Sequence, residues 1–111
     1  MVEYTLQLDN IFGSLADATR RDILSRVSQA ELSVTEIAKS YDVSLAAVSK
    51  HLKILEQAQL IMKRRQGKQQ LVQASPAAIK DASDYLKNYE QLWIHRLDRL
   101  EALLNKEQAD A

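Results

Sequence analysis

The chain has 111 residues, no cysteine, two histidines, two glycines and one proline, with 46 % apolar and 27 % charged side chains. That is a single domain of ordinary globular composition. It excludes disulfides, thiolate metal sites and thiol redox sensing. It also excludes the turn-rich chemistry of a β-sandwich or barrel, so mostly helix is expected. The N-terminal MVEYTLQLDN has neither a basic region nor a long apolar run, and no stretch approaches a membrane span. The expectation is a soluble, cytoplasmic chain with no membrane partner. Net charge is zero but unevenly spread: residues 1–48 carry −3, residues 49–80 carry +6 and residues 81–111 carry −3. A basic centre between acidic flanks is a local electrostatic footprint.

Leu8, Ile11, Phe12 and Leu15 recur at helical spacing and predict a first helix over residues 5–15. Asp17 is placed to cap a second helix that carries Ile23, Leu24 and Val27. After a short connection, Ser33-Val34-Thr35-Glu36 fits a capping box, preceded by a strand residue or two. The helix it opens carries Ile37, Ala38 and Tyr41. Asp42-Val43-Ser44 is a three-residue turn, and Ser44 caps the next helix. Ala47, Val48, His51, Leu52 and Leu55 share one face of that helix; Leu45, Ala46, Ser49, Lys50 and Lys53 lie opposite.

The period then changes. Leu60–Arg65 and Lys68–Gln73 flank Gln66-Gly67 and read as two strands of a basic-tipped hairpin, with Gly67 supplying a positive φ. Ser75-Pro76 opens a last helix over residues 76–106, Ser as cap and Pro at the first helical position. Leu86, Tyr89, Trp93, Leu97 and Leu100 continue its apolar stripe. At ~45 Å such a helix outruns a domain this small. The economical reading pairs this stripe with a second copy. Folding back on its own core is the other reading.

Two helices joined by a three-residue turn, followed by a basic hairpin, are the parts of a winged helix-turn-helix: mainly α, about five helices, one domain. Residues 15–74 form its DNA-binding core. A helix fits the major groove, where its exposed N-terminal residues reach base edges. Leu45, Ala46, Ser49 and Lys50 hold those positions. Lys53, Arg64, Arg65, Lys68 and Arg21 suit phosphates or the minor groove. His51 has two readings: packing with one hydrogen bond, or a phosphate contact. Arg20 and Arg21 likewise serve either phosphate or a carboxylate such as Asp17. Tyr89 and Trp93 read as core-type aromatics or as the lining of a small-molecule pocket.

At this point the residues match a family. Leu15-Ala16-Asp17-Ala18-Thr19-Arg20-Arg21-Asp22-Ile23-Leu24, Glu31–Ala38, Val48–Glu56 and Arg64-Arg65-Gln66-Gly67-Lys68 stand in the order and spacing of the ArsR family, which this chain resembles from about Ile11 to Val72. The tail from Tyr85 to Leu100 resembles a non-metal branch of that family. The resemblance implies a homodimeric bacterial repressor that joins through its first and last helices, here Leu8, Ile11 and Phe12 with the stripe from Leu86 to Leu100, and binds an inverted repeat of double-stranded DNA. Metal-responsive relatives carry Cys-Val-Cys where this chain has Ser33-Val34-Thr35, which cannot hold a soft metal. At the family's second metal position only His95, Asp98 and Glu101 stand along the last helix. No metal and no cofactor is expected; a small-molecule effector stays open. Ala18 replaces a usual proline. Gln59 stands where the family has glycine, so a left-handed backbone there costs ~1 kcal/mol, unless the helix ends differently and shifts the wing. A protein-interaction module on the same fold is the alternative function. No nucleophile–base pair, paired carboxylates or phosphate-cradling glycine loop is legible, so no enzyme is expected.

Overall fold

The computed structural model describes residues 2–110, with side chains from residue 6 to residue 109. Five helices and three short strands follow in the order α1 (Val2–Ser14), α2 (Ala18–Gln29), β1 (Leu32–Ser33), α3 (Val34–Lys39), α4 (Leu45–Gln57), β2 (Ile61–Gln66), β3 (Gln69–Ala74) and α5 (Pro76–Asp110).

The helix starts are those the sequence signals. The Asp17 carboxylate accepts from the Arg20 amide at 3.0 Å and opens α2. At α3 the capping box is complete: the Ser33 hydroxyl accepts from the Glu36 amide, and the Glu36 carboxylate accepts from the Ser33 amide, both at 3.1 Å. The Ser44 hydroxyl accepts from the Ala47 amide and opens α4. Each bond satisfies an amide that the helix itself leaves unpaired.

Ile23, Leu24, Val27, Ile37, Val48, Leu52, Leu55, Leu60, Ile61 and Val72 form one buried core with Ile11, Ala78 and Ala82. The sheet order is β1-β3-β2, antiparallel throughout. In the register, Arg64 pairs with Leu71 and Leu71 with Ser33. The hairpin strands lie one residue later than the sequence suggests, because Gln66 still pairs with Gln69 and the loop is Gly67-Lys68. Gly67 takes φ 62°, the positive angle that a two-residue hairpin loop requires at its first position.

Three further expectations are corrected. Tyr41 lies beyond α3, which ends at Lys39, although its ring still packs on the core. The last helix runs to Asp110, because nothing after Pro76 breaks it. Leu8 and Ile11 are not free to face a partner. They are 7 % and 0 % exposed, buried where α1 packs on α4 and α5 of the same chain. One apolar stripe on a 13-residue helix has already been spent on the chain's own core.

The last helix does leave its domain. Ala78 and Ala82 are buried, Tyr85 is half-buried, and every described side chain from Leu86 onward is exposed. Its 35 residues span about 52 Å. The radius of gyration is 20.1 Å, against about 13 Å for a compact chain of this length. The difference is the protruding half of α5.

The caps make stability acid-sensitive. The Arg20 amide, and then the Arg20 charge, hold the Asp17 carboxyl below its ordinary 3.8. The Ser33 amide and hydroxyl hold Glu36 below 4.5. The unfolded chain therefore binds more protons than the folded one over this range. The stabilisation is complete above the ordinary values and is lost as pH falls through the folded ones. Glu36→Gln keeps an acceptor for the Ser33 amide but does not titrate. Urea midpoints measured from pH 6 to pH 3 should fall less steeply in this variant than in the parent. Equal slopes would remove Glu36 from the account.

Candidate nucleic-acid interface

The interface is built on α4. Val48, Leu52 and Leu55 are 0–1 % exposed and fix one face of this helix in the core. Leu45, Ala46, Ser49, Lys50 and Lys53 are all exposed on the other. At 100° per residue they occupy an arc of about 140° that begins at the helix N-terminus. Leu45 is 56 % exposed at its first turn. The five residues that the sequence places together are thus together, with no ion pair among the described residues to occupy Lys50 or Lys53.

The turn before α4 is clasped to α2. The Tyr41 hydroxyl donates a short hydrogen bond to the Asp22 carboxylate, and the Arg26 guanidinium lies over the Tyr41 ring at 5.6 Å. Burial, and then the Asp22 bond, raise the Tyr41 hydroxyl above its ordinary pKa of 10.0. The phenol therefore keeps the proton it donates.

Arg20 and Arg21 close a second junction. Arg20 donates from Nε to the Ser14 carbonyl at 2.8 Å and from Nη2 to the Gly13 carbonyl at 3.3 Å. Arg21 donates from Nη1 to the Leu15 carbonyl at 2.7 Å. Two cations from the first turn of α2 thus serve the carbonyl end of α1, which has no basic residue in its own last turn. Neither guanidinium makes an ion pair among the described residues, although the Arg20 charge still acts on the Asp17 carboxylate. Arg20 Nη1 also lies 3.3 Å from His51 Nδ1. A guanidinium only donates, so in this contact Nδ1 is the acceptor. His51 is half-buried, with Asp17 at 3.9 Å.

The wing divides its cations. Lys63 lies 3.4 Å from Glu56 of α4. Arg64 donates to both oxygens of Glu31, from Nε at 2.8 Å and from Nη2 at 2.7 Å. Arg65 and Lys68 are exposed at the tip and make no ion pair among the described residues. Sequence reasoning missed Glu31. It stands 33 positions from Arg64, and only the sheet register brings the two together.

Along α5, Phe12 meets Tyr85 with ring centroids 6.0 Å apart, and Tyr85 meets Tyr89 edge-on at 5.4 Å. The exposed stripe of Leu86, Tyr89, Trp93, Leu97 and Leu100 continues from there, each 50–62 % exposed. Tyr89, Leu92, Trp93 and Arg96 line a groove on this one helix. No group of three or more His, Asp or Glu able to hold a metal occurs among the described residues. The Ser33 hydroxyl is committed to its cap, and its neighbour Thr35 offers only hard oxygen. No helix among them is long and apolar enough to cross a membrane.

A tri-helical core, a helix presented by a turn and a basic β-hairpin define a winged helix-turn-helix protein. The family profile described as "Helix-turn-helix domain" matches residues 15–64. The chain is 33 % identical over 102 residues to the HTH-type transcriptional regulator Rv2034 of Mycobacterium tuberculosis, covering 92 % of each chain. It is 28 % identical to the transcriptional repressor SdpR of Bacillus subtilis, over 74 % of this chain and 91 % of that one. A crystal structure of an ArsR family transcriptional regulator superposes with a TM-score of 0.75 at 32 % identity, over 80 % of this chain and 92 % of the other. The chain belongs to the ArsR family of winged helix-turn-helix transcriptional regulators.

Gln59 joins α4 to the wing and takes φ 61°, the left-handed angle that suits glycine. The helix therefore ends as a glycine would end it, and the residue bears the strain. The hydrogen bond its side chain accepts from Gln7, at 3.5 Å, is long and exposed. Gln59→Gly should raise stability by about 0.5–1 kcal/mol, read as a higher urea midpoint at constant slope. A lower midpoint would show that the Gln7 bond outweighs the strain.

Proposed function

We propose that the protein is a homodimeric repressor that binds an inverted repeat of double-stranded DNA. The observation that carries this reading is the division of α4: one face is locked in the core, and the opposite face, small and basic, stands beside a wing tip where Arg65 and Lys68 make no ion pair among the described residues. In this reading Lys50 and Ser49 bond base edges while Leu45 and Ala46 touch thymine methyls. Lys53, Arg65 and Lys68 meet the backbone, as do His51 through Nε2 and any guanidinium donor that Arg21 has left. Repression is supported by the likeness to a named repressor.

The dimer is supported by α5. An exposed run of Leu86, Tyr89, Trp93, Leu97 and Leu100 continues the face that Ala82 and Tyr85 bury. A contiguous apolar surface of this kind marks an interaction site. Phe12, half-buried against Tyr85, lies at its inner end. Residues 15–74 would then read DNA while α1 and α5 flank them and α5 joins the two copies. The groove at Tyr89 and Trp93 is part of the surface a second copy would cover. Any small-molecule effector there would compete with pairing or be enclosed by it.

Two experiments test the proposal. Duplex selection from a random library should enrich an inverted repeat with half-sites about one helical turn apart. Lys50→Ala should relax one base position, by about 1–3 kcal/mol. Arg65→Ala should weaken all sequences alike and reduce the salt slope by about 0.9 for each phosphate it no longer neutralises. Equal behaviour of the two variants would overturn the sorting of base and backbone roles. No enrichment would send the reading to a protein partner. Separately, Leu97→Glu places a charge in the exposed stripe. Sedimentation should show a dimer for the parent and a monomer for the variant; a dimeric variant would place the interface elsewhere.

A further inference from the structure

Arg64 is the wing cation whose sequence reading fits least well with its surroundings. It stands on β2, the outer strand, and its Cα partner is Leu71 of β3. Leu71 in turn pairs with Ser33 of β1. Residues directly opposite one another across an antiparallel ladder share a face. Glu31 precedes Ser33 by two positions, the spacing that returns to the same side. The Arg64–Glu31 pair therefore spans the full width of the sheet, with Leu71 lying between its ends at 9 % exposure. The adjacent residue, Lys63, points to the opposite face and reaches Glu56 of α4. The outer strand is thus braced on both sides, to the recognition helix by one ion pair and to the α2–β1 connection by the other.

We propose that Arg64 is a positioning residue for DNA binding: with Glu31 it sets where Arg65 and Lys68 meet the duplex, and it contacts no phosphate itself. This rests on the reading of the wing as a DNA-binding element. The geometry of the pair argues for it. Both carboxylate oxygens are occupied by parallel donors at 2.7 and 2.8 Å, the two-pronged arrangement that only arginine makes. The Glu31 charge beside Arg64 offsets its attraction for a phosphate, and leaving Glu31 would strand a carboxylate beside the DNA backbone. Arg65 and Lys68 have no such partner to give up. Glu31 is correspondingly held below the ordinary carboxylate range, first by the hydrogen bonds from Arg64 and then by its charge.

The test uses the full chain and the duplex selected above, with binding measured across a salt series. Charge alone gives Glu31→Gln the wrong sign for a positioning role, because removing an acid near DNA strengthens binding. A weakened Glu31→Gln is therefore specific to lost position. The charge-neutral double variant Glu31→Gln/Arg64→Gln removes the brace and leaves net charge as it was. Both should bind about three- to tenfold more weakly than the parent, with salt slopes parallel to it. Arg64→Lys should not restore affinity, since an ammonium cannot bond both oxygens. Arg64 is exposed and Glu31 half-buried, and unfolding midpoints near the parent's keep the comparison fair. Tighter binding by Glu31→Gln, a double variant that binds like the parent, or a double variant whose slope falls by about 0.9 per protomer would each overturn the proposal. A parent protein that binds no duplex would overturn the functional reading, and this inference with it.

Discussion

The structure depends on a single division of labour along α4. Val48, Leu52 and Leu55 point into the core with almost no exposure, each worth about 1.5–3 kcal/mol of burial. That face cannot rotate without emptying the core, so the opposite face cannot rotate either. Lys50 and Ser49 are therefore presented to solvent at a fixed angle. A helix of 13 residues would be marginal in isolation. Here tertiary packing supplies both its stability and its aim.

Polar contacts around α4 refine what the core fixes. The Arg20 guanidinium reaches the end of α1 and the His51 ring together, so three helices meet at one side chain. Tyr41 and Asp22 tie the turn before α4 to α2. Lys63 and Arg64 tie the strand after it. Exposed ion pairs of this kind add little to stability. Their effect is geometric: each removes one direction in which the reading helix or its wing could swing. Lys50, Lys53, Arg65 and Lys68 make no ion pair among the described residues, and they lie at the outer surface of this frame.

Much of this was legible in the chain, and the reasons are local. Asp17, Ser33 and Ser44 are hydroxyl or carboxylate caps one residue before apolar-periodic segments, and all three cap. Gly67 marked the hairpin loop because a two-residue loop demands a positive φ that few residues tolerate. The family motifs placed α2, α4 and the wing in order. What could not be read was pairing at long range. The roles of Arg20 and Arg21 depend on how α1 ends against α2 in space. Arg64 meets Glu31 only because β3 lies between β2 and β1. Leu8 and Ile11 show the same limit from the other side. Helical spacing marks a face as apolar, but it does not say whether that face meets the chain's own core or another chain.

In the proposed dimer, the exposed half of α5 ties the protein's behaviour to its abundance. A helix packed on a second copy would make the DNA-reading species bimolecular. Dilution then acts on it as a denaturant would, because the partner is a ligand of the native state. Occupancy of a two-fold DNA site would rise with the square of chain concentration below the dimerisation constant and linearly above it. A regulator built this way turns a modest fall in its own synthesis into a larger loss of grip on its target. That steepness comes from a stripe of leucines and aromatics lying well away from the helix that meets the DNA.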